Sequence, residues 1–226
     1  LSSDLEKLCN TAVLKPWPNK YEIYPIKSMQ RQAAMQRKHY IGNRKNKPYS
    51  HSITMPHSNT LHIVSFNIPH PPNYGGIIDI FYKVKALHEL GVTLYLHCFE
   101  YDRPQQKELE KYCKEVYYYQ RGSVLKSLFS RIPFVIKNRE NETLITRLKK
   151  SKAPILFEGL HTTFPLTTTV FNVKTYVRTH NIEHDYFKGL AKSEANIFKK
   201  LFYLLESRKL KNYETILNKA DGVFSI

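Results

Sequence analysis

The spacing of apolar positions divides the chain into two stretches. Residues 1–54 are polar, basic and aperiodic, with Pro16, Pro18, Pro25 and Pro48 scattered through them, so a poorly ordered extension is expected. Regular patterning begins with Leu61-His-Ile-Val-Ser-Phe66, a short apolar strand. After a loop from Pro69 to Gly76, the residues Ile77, Phe81, Val84 and His88 recur at helical spacing, with Ile80 and Leu87 widening the apolar face. The spacing predicts a helix from Ile77 to Leu90, ended by Gly91. Val92 to Phe99 forms a second strand, with Val92, Leu94, Leu96 and Cys98 on one side.

A polar helix is expected over Gln105–Lys114 and a third strand over Val116–Tyr119. Ser123–Phe129 and Glu142–Lys150 read as helices flanking an irregular connector at Ile132-Pro133. Pro154–Phe157, Thr175–Val177 and Gly222–Ile226 supply three more strands, and a long helical region, roughly Tyr186 to Ala220, separates the last two. Strands alternating with helices imply a mostly parallel sheet covered on both faces. The fold class is therefore α/β, a Rossmann-like parallel sheet over residues 55–226 preceded by the extension. The chain opens on Leu1, and Met55 closely precedes the first strand. Met55 is expected to be a natural start, with a genuine N-terminal arm as the alternative.

Charge adds a constraint on partners. The chain has 226 residues and 42% apolar content, enough for a real core, and a formal charge of +16. Such a balance favours polyanions: nucleic acid, anionic lipid headgroups or phosphorylated substrates. About +7 of it lies in residues 1–54, and no Arg/Gly run or aromatic-basic signature of an RNA-binding module occurs, which disfavours nucleic acid. Cys9, Cys98 and Cys113 are far apart and odd in number, so neither a disulfide framework nor a cysteine zinc site is indicated. No apolar run of membrane-spanning length and no leader pattern occurs. An intracellular protein is expected, soluble or peripheral to a membrane.

Three segments bring candidate chemistry to the exits of predicted strands, where an open α/β sheet binds its ligands. The first is Pro69-His-Pro-Pro-Asn-Tyr-Gly-Gly76. Its glycines allow a phosphate close to the backbone at a helix start, but it is neither GxGxxG nor a Walker loop, so no nicotinamide cofactor is supported. A tight turn into a helix is the plainer alternative. The second is Phe157-Glu-Gly-Leu-His161, whose Glu158 and His161 would face the same crevice. The third is Arg178-Thr-His-Asn-Ile-Glu-His184. Its His180-x-x-Glu183-His184 spacing also matches the inverted zinc-peptidase motif, which would require both histidines on one helical face and a third ligand elsewhere.

Taken together, Pro71-Pro-Asn-Tyr-Gly-Gly76 with Asp79 and Lys85-Ala-Leu87, Ile155-Leu-Phe-Glu-Gly-Leu-His161, and Arg178-Thr-His-Asn-Ile-Glu-His184 resemble the N-terminal domain of family 4-type glycosyltransferases of GT-B architecture. Tyr213-Glu214 and Ala220-Asp-Gly-Val-Phe-Ser-Ile226 extend the likeness, which covers about residues 60–226. The resemblance implies a retaining, metal-independent transfer of sugar from a nucleotide-sugar to a glycan, lipid-linked or other acceptor, with no cofactor. It implies donor diphosphate contact at Gly75 and Gly76 and contact with the transferred sugar at His180. Asn73, Tyr74, Asp79, Glu158, His161, Arg178, Asn181, Glu183 and His184 would line the acceptor side. It also implies a C-terminal donor domain that this chain lacks, so the chain is expected to be a fragment that transfers no sugar alone.

Such enzymes commonly sit on the cytoplasmic face of the cell membrane near anionic lipid, so the resemblance implies a cytoplasmic protein, peripheral on that inner face. Lys192, Lys199, Lys200, Arg208, Lys209 and Lys211 beside Phe198, Leu201, Phe202 and Leu205 would suit that surface. An ordinary helix with its apolar side in the core and a solvated basic side is the alternative. Two further readings stand beside transfer: a sugar-nucleotide epimerase of the same architecture, with Glu158 or Glu183 as catalytic acid, and a non-enzymatic basic binding module.

Overall fold

The structure, a computed structural model, describes residues 59–225. The expected extension and Met55 start lie outside the described residues, as does Cys9. Six strands form one sheet: β1 (Thr60–Ser65), β2 (Thr93–Glu100), β3 (Glu115–Gln120), β4 (Ile155–Glu158), β5 (Thr175–Thr179) and β6 (Gly222–Ser225). Every neighbouring pair is parallel, in the order β3-β2-β1-β4-β5-β6. The chain therefore starts in the middle of the sheet, runs out to one edge, and returns to build the other half from β4. Between β1 and β4 the winding direction reverses, and the strand ends there splay open a crevice.

Both faces are covered, as the alternating pattern requires. Ile63 packs on one face with Leu94, Leu96 and Cys98. Helix α1 (Gly75–Glu89) covers that face with Ile80, Phe81 and Val84. Val64, the next residue of β1, packs on the opposite face with Phe157 and Val177. There the cover comes from α4 (Glu142–Lys149) through Leu144, Ile145 and Leu148, and from α6 (Glu183–Ser193) and α7 (Ile197–Tyr213) through Phe187, Tyr203 and Leu210. Cys98 and Cys113 are free thiols buried in the first layer, and burial pushes both thiols up, Cys113 to about 12.

Some elements differ from expectation for local reasons. The polar helix expected at Gln105–Lys114 is only a 3-10 turn, Lys107–Lys111, because Leu109 is its single buried residue and offers no apolar stripe. Short helices α2 (Val124–Leu128) and α3 (Phe134–Lys137) flank Ile132-Pro133; α3 buries Phe134, Val135 and Ile136 but spans one turn, too short for any period. Another single turn, α5 (Pro165–Thr168), follows β4. The long helical region is broken into α6, α7 and a 3-10 turn at Glu214–Lys219. Asn196 marks the break: its Oδ1 accepts the amides of Phe198 at 3.0 Å and Lys199 at 3.2 Å, an N-cap that starts a new helix.

Candidate active site

The crevice at the reversal gathers residues from α1, β4 and β5. Gly75 and Gly76 open α1, whose first turn has no capping side chain, so its outward amides face the crevice with the positive end of the helix dipole. A side chain at Gly75 would meet nothing within 4 Å, whereas a Cβ at Gly76 would lie 3.0 Å from Phe66 Cζ. One turn along α1 come Asp79 and Lys83, joined at 3.3 Å.

The centre is Glu158, the last residue of β4 and wholly buried. Its Oε1 accepts Lys83 Nζ at 2.5 Å, and its Oε2 lies 3.1 Å from His180 Nε2 and 3.8 Å from Arg178 Nη1. Arg178 closes the ring by donating both Nη atoms to the two oxygens of Asp79, Nη2 at 3.0 Å. Burial pushes the Asp79 carboxyl up, but Arg178 and Lys83 outweigh this and hold it below the ordinary carboxylate range. A carboxylate accepts only, so His180 donates through Nε2 to Glu158, while its Nδ1 lies 4.0 Å from Asp79 Oδ2.

Beside this ring lies a second group. Gly159 has φ of +78°, and a Cβ there would lie 3.3 Å from His161 Nδ1 and 3.8 Å from His180 Cδ2, so its backbone fits between the two imidazoles. His161 Nε2 is 3.5 Å from Glu183 Oε2. Burial, then Arg139, Arg121 and His180, push His161 well below its ordinary value. Burial pushes Glu183 up to about 8; Glu214 adds to this, and Arg139 and a hydrogen bond from Asn181 oppose it. At neutral pH this contact thus joins two largely uncharged side chains. Phe66 packs against both His161 and His180, with ring centroids 5.8 and 6.1 Å away.

The sequence-expected residues fall into three sets. Asp79, Glu158, Arg178 and His180 form the ring, close to Gly75 and Gly76, while His161, Asn181 and Glu183 form the adjoining group. Asn73 and Tyr74 belong to neither: Asn73 Oδ1 accepts from Arg103, and the Tyr74 ring lies 4.9 Å beneath that guanidinium. His184 points elsewhere, its Nδ1 2.6 Å from Glu214 Oε1.

The zinc-peptidase arrangement is therefore not formed. His180 precedes α6 and bonds Glu158, whereas His184 lies inside α6 and bonds Glu214, so the two share no helical face. Among the described residues, a different set, Asp79, Glu158 and His180, could hold a metal ion, its ligand atoms lying within 4.8 Å of one another. Its oxygens already carry an ammonium and a guanidinium, which a divalent cation would have to displace. Lys83, Gly159 and Phe66 were not singled out from sequence. The Asp79-x-x-x-Lys83 spacing on a predicted helix was the one available signal for Lys83.

No protein-family model matches the chain, and no solved structure matches it. The chain is 31% identical over 166 residues to an uncharacterised 44.6 kDa protein in the cps region of Klebsiella pneumoniae. That match takes in 70% of this chain and 42% of the other protein, so the chain spans less than half the length of its relative.

Proposed function

We propose that this domain is the acceptor-side half of a glycosyltransferase that moves a sugar from a nucleotide-sugar onto a glycan or lipid-linked acceptor during capsular polysaccharide synthesis. The observation that carries this reading is His180, held through Nε2 by the buried Glu158 beside the uncapped start of α1, where a sugar would meet it. The helix amides at Gly75 and Gly76 suit a diphosphate leaving group, and the neighbouring ring holds His180 in one orientation. The capsule assignment draws on the relative's cps-region location.

In this reading the remaining chemistry comes from a further domain that carries the nucleotide-sugar, and the diphosphate itself helps deprotonate the acceptor. Arg178 and Glu158 position His180. Neither is asked to ionise the acceptor, so no metal or cofactor is required. The resemblance in the three motifs supports a retaining outcome.

The exposed face of α7 fits a place at an anionic bilayer. Ile197, Phe198, Leu201, Leu204 and Leu205 lie outside the core, Phe198 with 73% of its surface exposed, and Lys200 and Arg208 flank them. The alternative of a helix whose whole apolar side enters the core does not describe α7, which buries Tyr203 and Leu210 instead. No helix of the described residues is long and apolar enough to cross a membrane. Contact would therefore be peripheral.

The test is transfer by the full-length protein from labelled nucleotide-sugars to lipid-linked acceptors. His180→Ala is expected to abolish transfer while leaving the far-UV circular dichroism unchanged. Undiminished transfer by that variant, or conversion of a free sugar nucleotide with no acceptor present, would sink the assignment.

A further inference from the structure

Two arginines that the transfer reading leaves unused stand farther along the same row of strand ends. Arg121 immediately follows β3, and Arg139 lies just past α3. Both reach one atom, the carbonyl oxygen of Phe66 beyond β1: Arg139 through Nε and Nη2 at 3.2 Å each, and Arg121 through Nη2 at 3.5 Å. Arg139 also donates to the Val135 carbonyl and to Asn138 Oδ1, so it is well held. Arg121 is not. Its Nε and Nη1 are buried and have no hydrogen-bond partner among the described residues.

No carboxylate forms an ion pair with either guanidinium among the described residues. Arg121 instead stacks on Tyr101, 3.9 Å from its ring centroid. Leaving buried N–H groups unpaired is costly, and a buried charge without a counter-charge more so. Burial accordingly pulls the basicity of Arg121 down to about 10, against the attraction of Tyr101, Asp102 and Tyr74, and pulls Arg139 well down too. Both act on His161, which places them within electrostatic reach of the group beside His180. An oxyanion would supply what Arg121 lacks: acceptors for Nε and Nη1 and a negative charge for two guanidiniums.

We infer that Arg121, backed by Arg139, binds a phosphate or carboxylate group carried by the acceptor. That the anion is carried by an acceptor rests on the transfer reading, but the anion site itself does not depend on it. The acceptor class is then an anionic one, either a phosphorylated sugar or lipid or a uronic acid.

Calorimetric titration of the full chain with inorganic phosphate and with glucuronate, at fixed ionic strength, tests it. Saturable millimolar binding of at least one probe is expected, weakened about tenfold or more in Arg121→Gln. The exposed control Lys150→Gln is expected to bind as the parent does. Arg121→Lys keeps the charge and serves if the Gln variant does not fold; it is expected to weaken binding less. A response to phosphate alone identifies a phosphorylated acceptor, and a response to glucuronate an acidic sugar. No binding of either probe by the parent, or undiminished binding by Arg121→Gln, overturns the site. No sugar nucleotide is present, so such a failure leaves the His180 transfer test standing, and anion binding without any transfer would sink only the transfer reading.

Discussion

Replacing Lys83 with methionine probes the ring most directly. Glu158 is wholly buried, and the ammonium of Lys83 is the charged donor on its Oε1, while Arg178 and His180 attend Oε2. Removing one partner of a buried pair costs about 3–5 kcal/mol, because a charge is left uncompensated. Arg178 stays 3.8 Å from the other oxygen, so the lower end applies, about 3 kcal/mol. For a domain of this size that lowers the melting temperature by roughly 6–12 °C. Glu158→Gln removes the charge that Lys83 serves, so the double variant should be more stable than the sum of the single changes by about 1 kcal/mol or more. Urea unfolding of all four proteins, followed by far-UV circular dichroism, completes the cycle. Lys83→Met within about 0.5 kcal/mol of the parent, or strictly additive changes, would refute a buried charge network centred on Glu158.

Three further predictions use other parts of the structure. Glu183 keeps its proton in the fold up to about pH 8, against an ordinary value of 4.5, so the stability it contributes is full below pH 4.5 and lost as pH rises through 8. Glu183→Gln should therefore gain stability over the parent, by a few kcal/mol, between pH 5 and pH 9; a gap that does not change with pH in urea unfolding would contradict this. Gly76→Val should cost about 1–3 kcal/mol by crowding Phe66, whereas Gly75→Ala, with open space around it, should stay within about 0.5 kcal/mol in thermal unfolding; equal effects would refute the packing described. Exchanging Phe198, Leu201 and Leu205 for serine should lower sedimentation with phosphatidylglycerol vesicles severalfold and leave the fold intact, since all three are exposed; parental binding would exclude α7 as the contact face.

The sheet was legible because its strands are short apolar or aromatic runs that alternate with helical or polar stretches, and parallel winding follows from that alternation. The three motifs sat at the correct strand ends for the same reason. Helix breaks were harder to read. Asn196 interrupts a run whose residues are otherwise good helix formers, and only the capping hydrogen bonds distinguish it from a polar surface position. Grouping within the site could not be read either. His180 and His184 are close in sequence, but a strand end and a helix start rotate them toward different carboxylates. Arg121 and Arg139 resemble any other basic residues of a +16 chain until burial singles them out.

The ring around Glu158 also bears on how the molecule assembles. Its ion pairs join positions far apart along the chain: 75 residues separate Lys83 from Glu158, and 99 separate Asp79 from Arg178. The Lys83 contact needs only β4 beside β1, whereas the Arg178 and His180 contacts close only after β5 has docked beside β4, and so after the long return across the sheet. Contacts of such separation form late and slowly, because the loops they close are costly in entropy. During synthesis, the segment up to β4 therefore emerges with Glu158 facing Lys83 alone, its second oxygen still waiting for His180. A ligand seated in the finished crevice would bind only the fully wound sheet, and would draw incompletely folded chains toward it by mass action.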